Sequence, residues 1–168
     1  KSSAIVNTQG LILRGGKLNA YASCNLGPLL LRTNGLSQTI SELSFHGPAA
    51  VRFRGSSDAG WSPGAFLIVK GWRELVDGGG ENRLQVGHSA AGLMRDQLRR
   101  IIFENPANLP LGDYSARMLS TGEVVPNTPI GIHVSRATRS MVLAWREPYY
   151  LQTTTNLADF AQWLTVTQ

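Results

Sequence analysis

The sequence predicts an all-β protein, built either as stacked β rungs in the manner of a solenoid or as a β-sandwich, with one short helix near residues 93–102. Three observations carry that expectation. Charged residues make up only 16% of the chain, which also holds 18 glycines, a balance more typical of extracellular β proteins than of helix-rich cytosolic enzymes. A short apolar motif recurs along the amino-terminal part. Only one stretch places its apolar residues at helical spacing.

The recurrence starts with Leu11-Ile12-Leu13-Arg14 followed by Leu18, which returns as Leu29-Leu30-Leu31-Arg32 followed by Leu36. Looser copies are Ala50-Val51-Arg52-Phe53-Arg54-Gly55 and Ala65-Phe66-Leu67-Ile68-Val69-Lys70-Gly71. A period of roughly 20 residues is the signature of stacked β units, since one rung cannot bury its apolar face alone and its neighbours must cover it. A plain antiparallel sandwich also brings strands back every 8 to 12 residues or so, and both architectures stay open. In the third copy Val51 and Phe53 alternate with Arg52 and Arg54, the pattern of a half-exposed strand. The fourth has no alternation and predicts a strand buried on both sides. Gly55 to Gly60 and Ser62-Pro63-Gly64 are turns by composition.

The helix is expected where Met94, Leu98 and Ile101 or Ile102 fall on one face, with Asp96 four residues before Arg100 and basic residues gathered toward the helix end. Beyond it, 115–125 returns to strand-like sequence. Pro126-Asn127-Thr128-Pro129 is the best linker candidate. The chain therefore divides into a β-repeat domain, 1–126, whose closing cap is 72–126, and a small strand-rich tail module, 130–168. Four short strands are expected in that tail, around 130–134, 141–145, 149–153 and 163–166, too little for an immunoglobulin-type sandwich.

Composition excludes several function classes. The longest apolar runs, such as 65–69, are strand-sized, far short of the roughly 20 residues a membrane-spanning helix needs, so no transmembrane segment is expected. The chain opens at Lys1 with no charged-then-apolar leader, which places any export signal outside it. The single cysteine, Cys24, excludes an internal disulfide and a thiolate zinc cluster and reads as a small buried apolar residue. The net charge is +5, yet the arginines are scattered apart from Arg95, Arg99 and Arg100. No basic run is interleaved with aromatics, and no nucleic-acid partner is expected.

Two constellations bear on chemistry. Leu84-Gln85-Val86-Gly87-His88-Ser89-Ala90-Ala91-Gly92 approximates the strand, Gly-x-Ser turn and helix that present a nucleophilic serine, with Ala91 replacing the second glycine. Ser89 would then need His133 as base and Asp113 as orienting acid; the chain lacks the alternating strands and helices of that fold, so a turn before a short helix is the simpler meaning. The aromatics Trp61, Trp72, Trp145, Tyr149 and Tyr150 would stack on sugar rings if exposed, and would anchor the core if buried. Asp77 and Glu81 flank the glycine run 78–80 without a calcium-loop spacing, and His46, His88 and His133 lack ligand spacing. No metal and no cofactor are expected.

Three stretches together resemble the secreted, surface-displayed β-repeat proteins of bacteria that contain autotransporter-associated repeats and PEP-CTERM-type sorting segments. They are residues 3–19, similar to a short β-helical rung; residues 61–126, running from a Trp-initiated strand through a glycine turn and a short helix to Thr121-Gly122-Glu123-Val124-Val125-Pro126; and Met141 to Trp145 with 150–156 and Trp163, similar to a small terminal β module. The resemblance implies an exported, cell-surface location and a structural or adhesive role, and supplies no catalytic residues. The expectation is a non-enzymatic surface protein whose partners are itself, as a homo-oligomer or filament, or a cell-surface polysaccharide. A carbohydrate-binding module and a serine hydrolase are the alternatives.

Overall fold

Every strand pair that joins one turn of the chain to the next is parallel, and this decides the architecture. The computed structural model describes residues 6–7 and 10–128, and the backbone of four short strands farther on. A first rung contains β1 (Val6–Asn7), β2 (Leu11–Leu13) and β3 (Lys17–Ala20); a second, β4 (Cys24–Leu31) and β5 (Thr39–Phe45); a third, β6 (Ala50–Arg54) and β7 (Ala65–Lys70). A fourth contains β8 (Arg83–Val86), the helix α1 (Arg95–Leu98) and β9 (Ile101–Glu104). On one side β1 and β2 lie on β4, β4 on β6 and β6 on β8; on the other, β3 lies on β5, β5 on β7 and β7 on β9. An antiparallel sandwich does not pair this way, whereas stacked rungs do. With 43% strand against 3% helix, the protein is all-β.

The stack ends in an antiparallel hairpin. β10 (Asp113–Met118) pairs with β9, and β11 (Glu123–Pro126) pairs with β8, so the hairpin covers the last edge of both sides and joins them. One sheet path thus runs from β1 through β11 and β10 around to β3, nearly closing on itself. Gly122, at φ +83 in the hairpin turn, lies so close to the Gly87 carbonyl that a Cβ would meet its oxygen at 2.6 Å.

Side chains that alternate inward stack in columns. Val51, Leu84 and Val124 form one and are fully buried; Leu43, Val69 and Phe103 form another. Fully burying a Val, Leu or Phe side chain contributes about 1.5 to 3 kcal/mol, so each column is a large share of the stability. Corners are closed by serines: the Ser41 hydroxyl accepts the Gly15 N–H, Ser56 accepts that of Leu29, and Ser23 accepts that of Ala50. Each satisfies a backbone donor that the ladder leaves over where the chain turns.

Several expectations need correction. Leu11, Ile12 and Leu13 do lie opposite Leu29, Leu30 and Leu31, at the spacing of the sequence repeat. Leu18, however, lies opposite Leu43 and not Leu36, which is 64% exposed on a turn, because the second rung carries a longer corner than the first. The third and fourth apolar copies belong to one rung, on opposite sides. β7 is buried on one side only: Ala65, Leu67 and Val69 point inward while Phe66, Ile68 and Lys70 are half-buried outside. The helix is confined to Arg95–Leu98, and Ile101 and Phe103 are inward residues of β9; the two-residue alternation of the returning strand overrides the helical spacing.

Contacts divide the chain into Lys1–Asn127 and Thr128–Gln168. In the second unit β12 (His133–Ala137) pairs antiparallel with β13 (Ser140–Ala144), and β14 (Gln152–Thr153) with β15 (Leu164–Thr165). Among the described residues no helix is long and apolar enough to cross a membrane.

Candidate functional site

Ser89 sits on an exposed turn, and the geometry of that turn is set by glycines. Gly87 has φ +71, and its N–H donates to the Phe53 carbonyl while the Gly92 carbonyl accepts from Ser56. The chain therefore leaves β8, loops out over 88–91 and returns to the same point. The Ser89 hydroxyl accepts the N–H of Ala91 at 3.3 Å. Asp113 lies at the start of β10, opposite Glu104, and shares no hydrogen bond with Ser89 among the described residues; the His133 side chain lies outside the described residues. His46 stacks on Tyr21, ring centroids 4.7 Å apart, and its Nε2 lies 3.0 Å from the Asn19 side-chain oxygen.

The aromatics separate into two groups. Trp61 and Trp72 are core residues: the Trp61 indole N–H donates to the Leu29 carbonyl at 2.8 Å, and Trp72 packs edge-on against Phe103. Their burial withdraws both from any sugar-stacking platform. Trp145, Tyr149 and Tyr150 lie outside the described residues. Tyr21, which the sequence reading passed over, is 71% exposed.

The glycine run 78–80 is held by carboxylates from outside it. Glu74 accepts the N–H groups of Glu81 and Asn82, both at 2.7 Å, and the buried Glu123 accepts that of Gly79 at 3.0 Å. Asp77 meets Arg117 at 3.5 Å. These oxygens are engaged in folding the loop against the hairpin. Gln97, also buried, does similar work for the helix: its side chain accepts the N–H of Met94 and donates to the carbonyls of Ser56 and Ala59. Met94 thus begins the helix through its backbone, its carbonyl accepting the Gln97 N–H while the Gln97 side chain reaches back to the Met94 N–H.

Two outer faces differ in charge balance. On the β3-β5-β7-β9 side, Glu42 lies 3.3 Å from Lys17 and 3.4 Å from Lys70, and Lys70 lies 3.3 Å from Glu104, a ladder of alternating sign that crosses the rungs. The Ser44 hydroxyl, at 2.7 Å, is the main cause that holds the Glu42 carboxyl below its usual range; desolvation opposes it, and Lys17 and then Lys70 add to the lowering. A carboxyl depressed in the folded state stabilises above its unfolded pKa and loses that contribution as pH falls through the folded value. Below about pH 4.3 the melting temperature of the native protein is expected to fall more steeply than that of Glu42→Gln; parallel curves from calorimetry would show the ladder to be inert.

On the β4-β6-β8 side, Arg52 and Arg54 point outward from β6, since Val51 and Phe53 fill the core. Neither forms an ion pair among the described residues. Cys24 lies at the inner end of this side, its thiol pushed up by burial against an opposing pull from Arg52. A cavity of about 290 Å³, lined by Leu18, Ala20, Cys24, Leu26 and Val51 among others, lies where the first two rungs meet.

Comparison with models of known families, with curated proteins and with solved structures returned no match.

Proposed function

We propose that the chain is a non-enzymatic structural or adhesive module of an exported, cell-surface protein, which associates with itself through the open end of its stack. The observation that carries this reading is the difference between the two ends. The hairpin β10-β11 covers the edges of β8 and β9, whereas β1, β2 and β3 have no strand on their outer side among the described residues. An uncovered strand edge presents a row of N–H and C=O groups ready to pair with another chain. Low charge and glycine-rich turns support the exported location.

One closed end limits what can form. Head-to-tail growth needs two complementary open ends, so the geometry supports a two-fold pair of stacks meeting at their first rungs and not a filament. Gly16 and Ala20 direct their carbonyls to β5, where Glu42 and His46 donate to them. Lys17 and Asn19, one residue out of phase, therefore direct their backbone groups to the open edge. Asn19→Pro removes one edge donor and leaves the backbone bonds to β5 in place, losing besides only the side-chain contact with His46. Light scattering over a concentration series is expected to show a dimer for the native protein and a monomer for Asn19→Pro. A native protein that stays monomeric at high concentration, or grows without limit, overturns the proposal.

A further inference from the structure

We infer that the outer face of β4, β6 and β8 is a docking surface for an acidic polysaccharide, held through Arg52 and Arg54. Register places the groups. Asn25, Arg52 and Gln85 lie opposite one another in successive rungs and form one row across the strands. Arg54 stands two residues along β6, opposite Pro28, on the order of 6 to 7 Å from Arg52 at the backbone. Arg83 points to the same side, because Leu84 and Val86 beside it are fully buried, but its Nε is itself buried, which leaves Arg52 and Arg54 to present the charge.

The charge on this face is left without compensation, which is what sets it apart. On the opposite side the lysines of the ladder meet Glu42 and Glu104, so the charges there offset one another. Here the row ends in Glu123, opposite Gln85, but that carboxylate is buried and accepts the Gly79 N–H. Its Oε2 is turned to the loop, and its Oε1 is buried without a hydrogen-bond partner among the described residues. Among the described residues no ion pair reaches Arg52, Arg54 or Arg83, in a chain of net charge +5.

The groups present decide the class of polyanion. A guanidinium fork matches a carboxylate or sulfate with two parallel hydrogen bonds. Asn25 and the free side of Gln85, whose amide nitrogen donates to Thr121, flank Arg52 with the amide groups that sugar hydroxyls pair with. Among the described residues no aromatic side chain stands in these rows to stack on a base, as single-stranded nucleic acid sites require. The row of amide, guanidinium and amide across three successive rungs suits an extended chain that carries carboxylates among hydroxyls.

This inference takes from the surface-module reading only its choice of polymer, and the two fail separately, since light scattering reads association and titration reads binding. Polygalacturonate is the probe, with neutral dextran and single-stranded DNA beside it, at low and moderate salt because exposed charges are screened. Binding to polygalacturonate is expected, weakening with salt. The double variant Arg52→Gln, Arg54→Gln is expected to lose at least about tenfold in affinity. Arg95→Gln with Arg99→Gln removes the same nominal charge from the exposed helix and is expected to lose less than about threefold. Should the first pair misfold, Arg54→Gln alone, an exposed position, carries the test and is expected to weaken binding more than the helix pair does. Equal losses in the two double variants, no binding of polygalacturonate, or tighter binding of DNA through the same arginines overturns the inference.

Discussion

Gly92→Ala is expected to cost about 3 to 5 kcal/mol of folding stability, at the upper end of what single substitutions do. A Cβ there would fall far inside contact distance of the Val86 carbonyl oxygen and 2.8 Å from its carbon. Backbone cannot rotate away as a side chain can. The neighbouring bonds hold it: Val86 donates to the Gly122 carbonyl, Gly87 to that of Phe53, and Ser56 to that of Gly92 itself. Moving any of them opens the junction between the third rung, the fourth and the closing hairpin. Gly35→Ala is the control for backbone conformation alone, since Gly35 has φ +96 and nothing within 4 Å of an added Cβ. It is expected to cost only the left-handed penalty of about 1 to 2 kcal/mol. Urea unfolding of both variants measures the difference, and equal costs would show the 87–92 turn to be adaptable.

Gln97→Leu is expected to cost nearly as much, about 2 to 4 kcal/mol, for a different reason. The side chain is 5% exposed and makes three bonds of 2.7 to 2.8 Å, to the Met94 N–H and to the carbonyls of Ser56 and Ala59. A leucine fills the volume and leaves the Met94 N–H and the Ala59 carbonyl unpaired, each worth about 1 to 3 kcal/mol when buried, while the Ser56 carbonyl loses one of its two donors and keeps the Ala59 N–H. Gln97→Glu separates the contributions. Its carboxylate still accepts from Met94 but turns negative charge on two carbonyls, so its folded pKa is raised. A raised pKa makes the protein more stable at low pH, where the protonated acid donates to one carbonyl. Chemical unfolding at neutral and acid pH is expected to show Gln97→Glu recovering part of the loss as pH falls, while Gln97→Leu does not.

The first ladder of the fold was legible in the sequence because one repeat was near-exact: Leu11 to Leu13 pair with Leu29 to Leu31 at the repeat spacing. Legibility stopped where corner length varied. Leu18 and Leu36 match by eye, yet Leu43 is the true neighbour, since a solenoid tolerates insertions at corners that a sequence offset cannot follow. Period-two and helical spacing compete over 98–104, and the pairing of β9 with β7 and β10 decides for the strand. The alternation of Arg52 and Arg54 with Val51 and Phe53 was plain. That their face lacks a compensating carboxylate was not, because it depends on Glu123 being drawn to Gly79, 44 residues away. Trp61 and Trp72 as core anchors, and Gln97 as a clasp, likewise rest on contacts between residues far apart in sequence.

The closing hairpin also gives the stack a preferred order of assembly. Joining β9, β10 and β11 closes only short loops, whereas each parallel rung must close a whole circuit of the chain before its first pairing is rewarded, and loop-closure entropy grows with that length. Contacts of low sequence separation form fastest. The end of the stack that leaves the ribosome last is therefore the end with the smallest entropic barrier. Rungs can then be added to it one by one toward the amino terminus, so that among the described rungs the one containing β1, β2 and β3 forms last.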